Sequence, residues 1–169
     1  MDNDSEFMQI AINEAKNGYE RDDFPVGAVL VINGQLIGVS SNSNKTNLDW
    51  MSHAEASLLK KYSKEIKKYK KEGASIELYT TLEPCLMCLG TSFFSRVNRI
   101  VFACSDPNGG AAGLKAEHLS KGYTKRWPLI EKNSKYSEES YNLLVDYMKK
   151  HDSWKEVLLS FEDNKNSSS

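Results

Sequence analysis

Apolar residues fall along the chain in blocks whose period predicts the elements. Phe7, Met8, Ile10, Ala11, Ile12 and Ala15 lie near helical spacing and predict a first helix, with Gly18 as its stop. Residues 26–32 are instead a continuous, β-branched apolar run of strand length. Asn33-Gly34 follows, the dipeptide that most favours a tight hairpin, and Leu36, Ile37 and Val39 predict the returning strand. Residues 40–49 are polar and aperiodic and read as a loop. A helix is expected from Ser52 or His53 through Leu58, Leu59 and Tyr62. Seven lysines between Lys60 and Lys71 read as a solvated helix face and then a flexible connection, in preference to an anion-binding patch. Residues 76–81 alternate apolar and polar, as a half-buried strand does. Pro84 is expected to open a helix at its first turn, with Leu86, Met87, Leu89, Phe93 and Phe94 as its apolar side. A fourth strand over 99–103, a Gly-rich loop over 106–113 and a short fifth strand at Leu129-Ile130 follow. Two helical patterns, 137–150 and 154–161, close the chain, with a polar tail from Glu162 expected to be mobile.

Strands alternating with helices imply an α/β domain whose sheet carries helices on its faces. No repeat or composition break interrupts the pattern. Residues 1–162 are therefore expected to form a single domain, with a core at about 7–114, C-terminal helices over 137–161 and a flexible tail over 163–169.

Composition narrows the function. The 169 residues suit one compact domain, and 40% hydrophobic with 27% charged residues excludes disordered and fibrous classes. A net charge of −1 weighs mildly against a polyanionic partner without excluding a local basic patch. No apolar run reaches the roughly 18–20 residues that span a bilayer, so no membrane segment is expected. The acidic start, Met1-Asp2-Asn3-Asp4-Ser5-Glu6, lacks the basic-then-apolar order of a secretory signal. Only Cys85, Cys88 and Cys104 occur, two of them at C-x-x-C spacing. Metal or redox chemistry in the cytoplasm is the expectation, rather than a disulfide framework.

The chemistry concentrates in His53-Ala54-Glu55 and Pro84-Cys85-Leu86-Met87-Cys88. Cys85 and Cys88 are three apart at a predicted helix start, so both sulfurs can lie on one face. The positive helix end favours the thiolate that binds metal. His53, at the start of another predicted helix, is the best-placed third ligand. Three protein ligands with an open fourth position describe a catalytic zinc, whereas structural sites close with four. Alone, C-x-x-C also fits a redox pair or a structural zinc, for which Cys104, His118 and His151 are the remaining soft ligands. Zinc lowers the pKa of a bound water from roughly 16 to about 7, and Glu55 is the natural proton carrier. Positions i and i+2 do not share a helix face, so His53 and Glu55 both reach the site only at a helix entrance.

This H-x-E…P-C-x-x-C pattern is that of zinc nucleobase deaminases. The chain resembles the cytidine deaminase-like superfamily, within it most closely the tRNA adenosine deaminases, with free guanine and cytosine deaminases close behind. The resemblance rests on residues 25–31, Asn42, 53–55, 81–88, 95–102 and 110–113, spread over about two thirds of the chain. It implies a three-layer α/β/α fold around a mostly five-stranded sheet, one Zn2+ per chain and a homodimer. It implies further that Asn42 hydrogen-bonds the base or its sugar. Ala54 and Pro84, inside the zinc segments, and Asp106, in the loop that lies near nucleic acid in similar enzymes, are counted with it as substrate-binding, with an ordinary turn aspartate an equal explanation for Asp106. The implied reaction is hydrolytic: hydroxide attacks the carbon bearing the amino group while Glu55 passes the proton to ring nitrogen and then to leaving ammonia.

The substrate is read less directly. The zinc segments favour adenosine in a tRNA anticodon loop. Trp50, where the tRNA enzymes carry smaller residues, narrows the pocket or stacks on a free base, or else packs against a neighbour or dimer partner. The acidic C-terminal end also departs from the tRNA enzymes, and Trp154 or Phe161 there either closes the pocket or packs in the core. Arg96, Arg99, Lys115, Lys121, Lys125 and Arg126 read as scattered solvated charges in preference to a phosphate-binding patch, which would draw on the same residues. A catalytically silent zinc subunit is the expectation from another class, and the presence of Glu55 argues against it.

Overall fold

In the computed structural model, which describes residues 3–167, the strands β1 (Gly27–Ile32), β2 (Gln35–Ser41), β3 (Ile76–Leu82), β4 (Arg99–Cys104) and β5 (Leu129–Lys132) form one sheet. Their order is β2-β1-β3-β4-β5. β1 runs antiparallel to both β2 and β3, while β3, β4 and β5 are parallel. The β1–β2 hairpin closes on Asn33 and Gly34 with φ of 51° and 76°, both left-handed as a two-residue primed turn requires. Eight helices accompany the sheet among the described residues: α1 (Asn3–Glu20), α2 (Asn44–Asn47), α3 (Ala54–Lys61), α4 (Ser63–Lys71), α5 (Leu86–Phe94), α6 (Lys121–Thr124), α7 (Ser137–Lys149) and α8 (Lys155–Ser167).

Period-2 side-chain alternation divides the core into two layers. Val29, Val31, Tyr79, Val101 and Ala103 face α1, which buries Phe7, Met8, Ala11 and Ile12 on them. Ala28, Leu30, Ile32, Leu78 and Ile100 face the other way, onto Leu58 and Leu59 of α3 and Leu89 of α5. The result is the expected three-layer α/β/α sandwich on a five-stranded sheet. α1 approaches β1 so closely that a Cβ on Gly27 would lie 2.0 Å from the Ala11 carbonyl oxygen. Asp4 and Arg99 clamp the same layer, with Nη1–Oδ1 and Nη2–Oδ2 bonds of 2.9 and 2.6 Å, and Glu77 and Glu131 also pair with Arg99. Arg99 is thereby committed to acidic partners and is not part of a phosphate-binding patch. Among the described residues, no helix is long and apolar enough to cross a membrane.

Several elements differ from the sequence reading, each for a packing reason. Gly18 lies inside α1, where a Cβ would lie 3.4 Å from the Ser41 Cβ; the chain turns later, at Asp22 with φ 63°. β3 is buried on both faces, and its threonines turn their hydroxyls inward. Thr81 Oγ1 accepts the Gly27 N–H at 3.1 Å, and Thr80 bonds within the site described below. The lysine-rich segment folds as α4, anchored by one buried residue, Ile66. Within 40–49, α2 forms because buried Asp23 accepts the Lys45 and Thr46 N–H groups, each at 3.0 Å. Pro84 stands one residue before Cys85, the N-cap of α5, rather than in its first turn. α8 continues through Glu162 to Ser167, where a mobile tail is expected; residues 168–169 of that tail lie outside the described residues.

Candidate active site

Two helix N-termini converge at the C-terminal ends of the parallel pair β3 and β4. His53 is the N-cap of α3 in extended backbone (φ −69°, ψ 148°), and Glu55 is the second residue of that helix. The extended cap lets residues two apart turn to one point, which a regular helix forbids. Cys85 caps α5 in the same manner (φ −70°, ψ 171°), with Cys88 in its first turn. His53 Nδ1 lies 3.6 Å from Cys85 Sγ and 3.6 Å from Cys88 Sγ. All three ligand atoms fall within 4.8 Å of one another. Zinc–sulfur and zinc–nitrogen bonds of about 2.3 and 2.0 Å at the tetrahedral angle separate such atoms by about 3.6 Å, so the donor set fits zinc.

No other soft ligand completes a fourth position among the described residues. Cys104 is buried, donates to the Ser105 carbonyl at 3.4 Å, and has its pKa pushed up to about 12 by burial. His118 is exposed beside Glu117. His151 Nε2 lies 2.8 Å from Asp22 Oδ1. Three ligands are therefore grouped, and the fourth position is left open.

Electrostatics prepare the centre for a cation. The Cys88 thiol and the His53 ring, both bonded to Cys85, hold that thiol down at about 4 despite partial burial. Its bond to the Cys85 sulfur, together with burial, pushes Cys88 up. The Cys85 contact raises His53 against the opposing effect of burial. Burial raises Glu55, which is only 3% exposed. Thr80 Oγ1 donates to Glu55 Oε1 at 3.1 Å, while Oε2 lies 3.5 Å from Cys88 Sγ.

A cavity of about 780 Å³ opens over this centre, lined by His53, Glu55, Cys85, Asn42, Trp50 and Asp106. Asn42 is 4% exposed, and its Oδ1 accepts the Asn44 N–H at 3.0 Å. Asp106 Oδ1 accepts the Asn108 and Gly109 N–H groups, each at 2.9 Å, as a turn aspartate does. Trp50 is 89% exposed and stands at the rim. Ala54 and Pro84 do not line the cavity. Ala54 is in the core of α3, and Pro84 is buried, with its carbonyl accepting the Ala111 N–H at 2.9 Å.

Two features escaped the sequence reading. Glu83 is a clamp: its carboxylate accepts the Asp106 and Ala112 N–H groups at 3.0 and 2.9 Å, tying the Gly-rich loop to the zinc segment. Gly110 packs on it so tightly that a Cβ there would lie 2.4 Å from the carboxyl carbon. A carboxylate directly before Pro-Cys, with a loop rich in unpaired amides downstream, was the available signal. The far wall is aromatic: Trp154 stacks on Phe24 at 4.3 Å and 4°, and Tyr147 and Phe161 line the cavity beside them. Phe161 also belongs to the core, so it both packs and walls the site.

Three grouped metal ligands, an open fourth position and a buried carboxylate beside it define a metal-dependent hydrolytic centre. The chain belongs to the family of the cytidine and deoxycytidylate deaminase zinc-binding region, whose model matches residues 1–104. With its His and two Cys grouped, the site takes one Zn2+ per chain. The chain is similar to the tRNA-specific adenosine deaminase of Bacillus subtilis (strain 168), 42% identical over 113 residues, which cover 67% of this chain and 69% of the relative. A solved structure of a tRNA:A34 deaminase, from work on A-to-I editing at the wobble position of transfer RNA, superposes with a TM-score of 0.70 at 31% identity, covering 83% of this chain and 99% of that one. Guanine deaminase from Nitrosomonas europaea superposes with a TM-score of 0.69 over 83% of this chain and 82% of that one, and at 22% identity shares the fold alone.

Proposed function

We propose that residues 1–162 form one deaminase domain that hydrolyses the 6-amino group of adenosine within tRNA, giving inosine and ammonia. The observation that carries the hydrolytic reading is Glu55, buried beside the open face of the His53, Cys85 and Cys88 group. The tRNA reading is supported by the similarity to tRNA-specific adenosine deaminases. Bound zinc supplies the Lewis acidity that makes water a nucleophile near neutral pH. Thr80 holds Glu55 Oε1, which leaves Oε2 to take the proton and hand it to ring N1 and then to the departing amine. Burial keeps that carboxyl's pKa nearer the working range of a proton shuttle. Asn42, whose Oδ1 is already occupied, offers its amide nitrogen to the base or ribose. Trp50 offers a stacking face at the rim, Asp106 shapes the loop beside it, and Ala54 and Pro84 support the floor.

The protein acts in this reading as a cytoplasmic homodimer. The support for pairing is the outer face of α5, where Leu86 and Phe94 are 66% and 72% exposed, eight residues apart, with Gly90 between them. A second reading, deamination of free guanine or cytosine, is favoured by one observation: Trp154 and Phe161 wall the cavity from the C-terminal side. The deciding experiment incubates zinc-loaded protein with an anticodon stem-loop and, separately, with free bases and nucleosides. Inosine in the RNA with a silent panel supports the tRNA reading; ammonia from a free base with unreacted RNA replaces it with the second.

A further inference from the structure

We infer that the cleft between α4 and the C-terminal end of α5 is a second binding site, remote from the zinc centre, which takes a phosphate group carried by a nucleotide. The cleft has a volume of about 470 Å³ and is lined by Ser63, Ile66, Lys67, Lys70, Lys71, Phe94, Ser95 and Arg96. Four of these are cations and none is an acid. α5 has nine residues, so this end lies about 13 Å along its axis from the zinc end.

Arg96 carries the inference. It ends α5 in the left-handed conformation, with φ 63°, while its N–H bonds the Phe93 carbonyl and the Val97 N–H bonds the Ser92 carbonyl, both at 3.1 Å. Glycine is the usual residue at such a helix end, and the same chain uses it after α4, where Gly73 has φ 82°. Arginine therefore occupies a position that the backbone disfavours for it. Its guanidinium makes no hydrogen bond or ion pair among the described residues, and its Nη1 is buried without an acceptor. A buried donor of a charged group without a partner is costly, and the cleft supplies only more positive charge to meet it. An anion resolves both conditions at once.

The surroundings are arranged for that anion. Lys70 Nζ is held by Asn98 Oδ1 at 2.6 Å and the Ala74 carbonyl at 3.1 Å, leaving one of its three donors for a ligand. Lys67 and Lys71 are exposed at the mouth. Lysines in the last turn of α4 complement the helix dipole, which accounts for their charge but not for the orphaned nitrogen of Arg96. A planar guanidinium fork with point-charge lysines around it is the chemistry that recognises phosphate oxygens.

The phosphate has two sources, an RNA backbone or a free nucleotide, and only the first rests on the tRNA reading. The test titrates the full, zinc-loaded chain with inorganic phosphate, with AMP and with an anticodon stem-loop, by calorimetry and 31P NMR. Arg96→Asn is the first variant, because asparagine tolerates the left-handed conformation; the double variant Lys67→Gln, Lys71→Gln is the second. Binding of at least one probe by wild type, weakened by about tenfold or more in Arg96→Asn, is expected. If the RNA backbone is the source, the stem-loop weakens and its log–log salt slope falls by about one per lost contact. If a free nucleotide is the source, AMP weakens and the stem-loop does not. Ammonia from free bases with phosphate binding intact removes the tRNA reading and leaves this site standing. Unchanged binding of every probe in both variants overturns the site. So does a shift of Arg96→Asn toward monomer with unchanged phosphate binding, which gives the orphaned nitrogen to the partner copy instead.

Discussion

Glu55 is the residue at which chemistry and folding can be separated most cleanly, by comparing Glu55→Gln with Glu55→Ala. Glutamine keeps the volume and retains Oε1 as the acceptor for Thr80 Oγ1, a 3.1 Å bond in the wild type. Its stability should stay within about 1 kcal/mol of wild type. Alanine strands the hydroxyl of Thr80, which is fully buried. A stranded buried donor costs roughly 1–3 kcal/mol, before any contribution from the cavity left behind. For a domain of this size that corresponds to a fall in Tm of roughly 2–12 °C. Neither variant can shuttle a proton, so both should lose roughly 10²–10⁴ in turnover, about 2.7–5.5 kcal/mol of barrier. The assay pairs inosine formation in the stem-loop with bound zinc per chain and a thermal melt on the same preparations. Equal inactivity, unequal Tm and full zinc in both is the expected pattern. Glutamine retaining more than about a tenth of wild-type turnover would refute the assigned role, as would loss of zinc in step with activity.

Cys88→Ala, or chelation of the wild type, should remove zinc and lower Tm together, because metal binding to a folded site is folding free energy; a fully metallated variant contradicts the ligand set. Asp4→Asn should flatten the acid limb of stability. Arg99 holds the Asp4 carboxyl below its ordinary value of 3.8, so this pair's stabilisation is complete above that value and is lost as pH falls through the lower, folded one. Denaturation midpoints from pH 7 to pH 2 should therefore converge for wild type and variant at the acid end, and parallel curves would show the pair contributes nothing. Gly27→Ala places a Cβ 2.0 Å from the Ala11 carbonyl oxygen and 2.5 Å from the Ala15 nitrogen. Neither atom is the end of a flexible side chain, so the loss should reach the upper part of the range for overpacking, about 3 kcal/mol; urea denaturation that shows less than 1 kcal/mol, about the low end, contradicts the packing described.

The metal centre was legible because its information is local. Two capping residues, His53 and Cys85, sit where strand and helix signals already adjoin, and the spacing to Glu55 and Cys88 carries the rest. The hairpin was legible for the same reason, since Asn33-Gly34 fixes its own turn. What pattern reading missed depends on neighbours distant in sequence. Thr80 and Thr81, on opposite faces of β3, look like polar interruptions of a strand until Glu55 and Gly27 provide partners. Gly18 looks like a terminator until Ser41 is seen packed against it. Asp23 and Glu83 are carboxylates that replace missing backbone partners in loops, and only the folded loops reveal which amides need them. Arg99 read as a free cation because its acids lie on three other segments.

The stacking of Trp154 on Phe24 joins the two ends of the chain across the mouth of the site. The metal ligands and Glu55 all lie within residues 1–104, where the family model matches, whereas Trp154, Tyr147 and Phe161 lie beyond it. The metal ligands and part of the aromatic wall of their cavity thus come from different stretches of one polypeptide, while Asn42 and Trp50 line the same cavity from the stretch that holds the ligands. For an engineer, Ser153, Trp154 and Val157 are the place to diversify first: they line the cavity without being fully buried, and a library confined to them reshapes its wall and leaves every zinc ligand untouched.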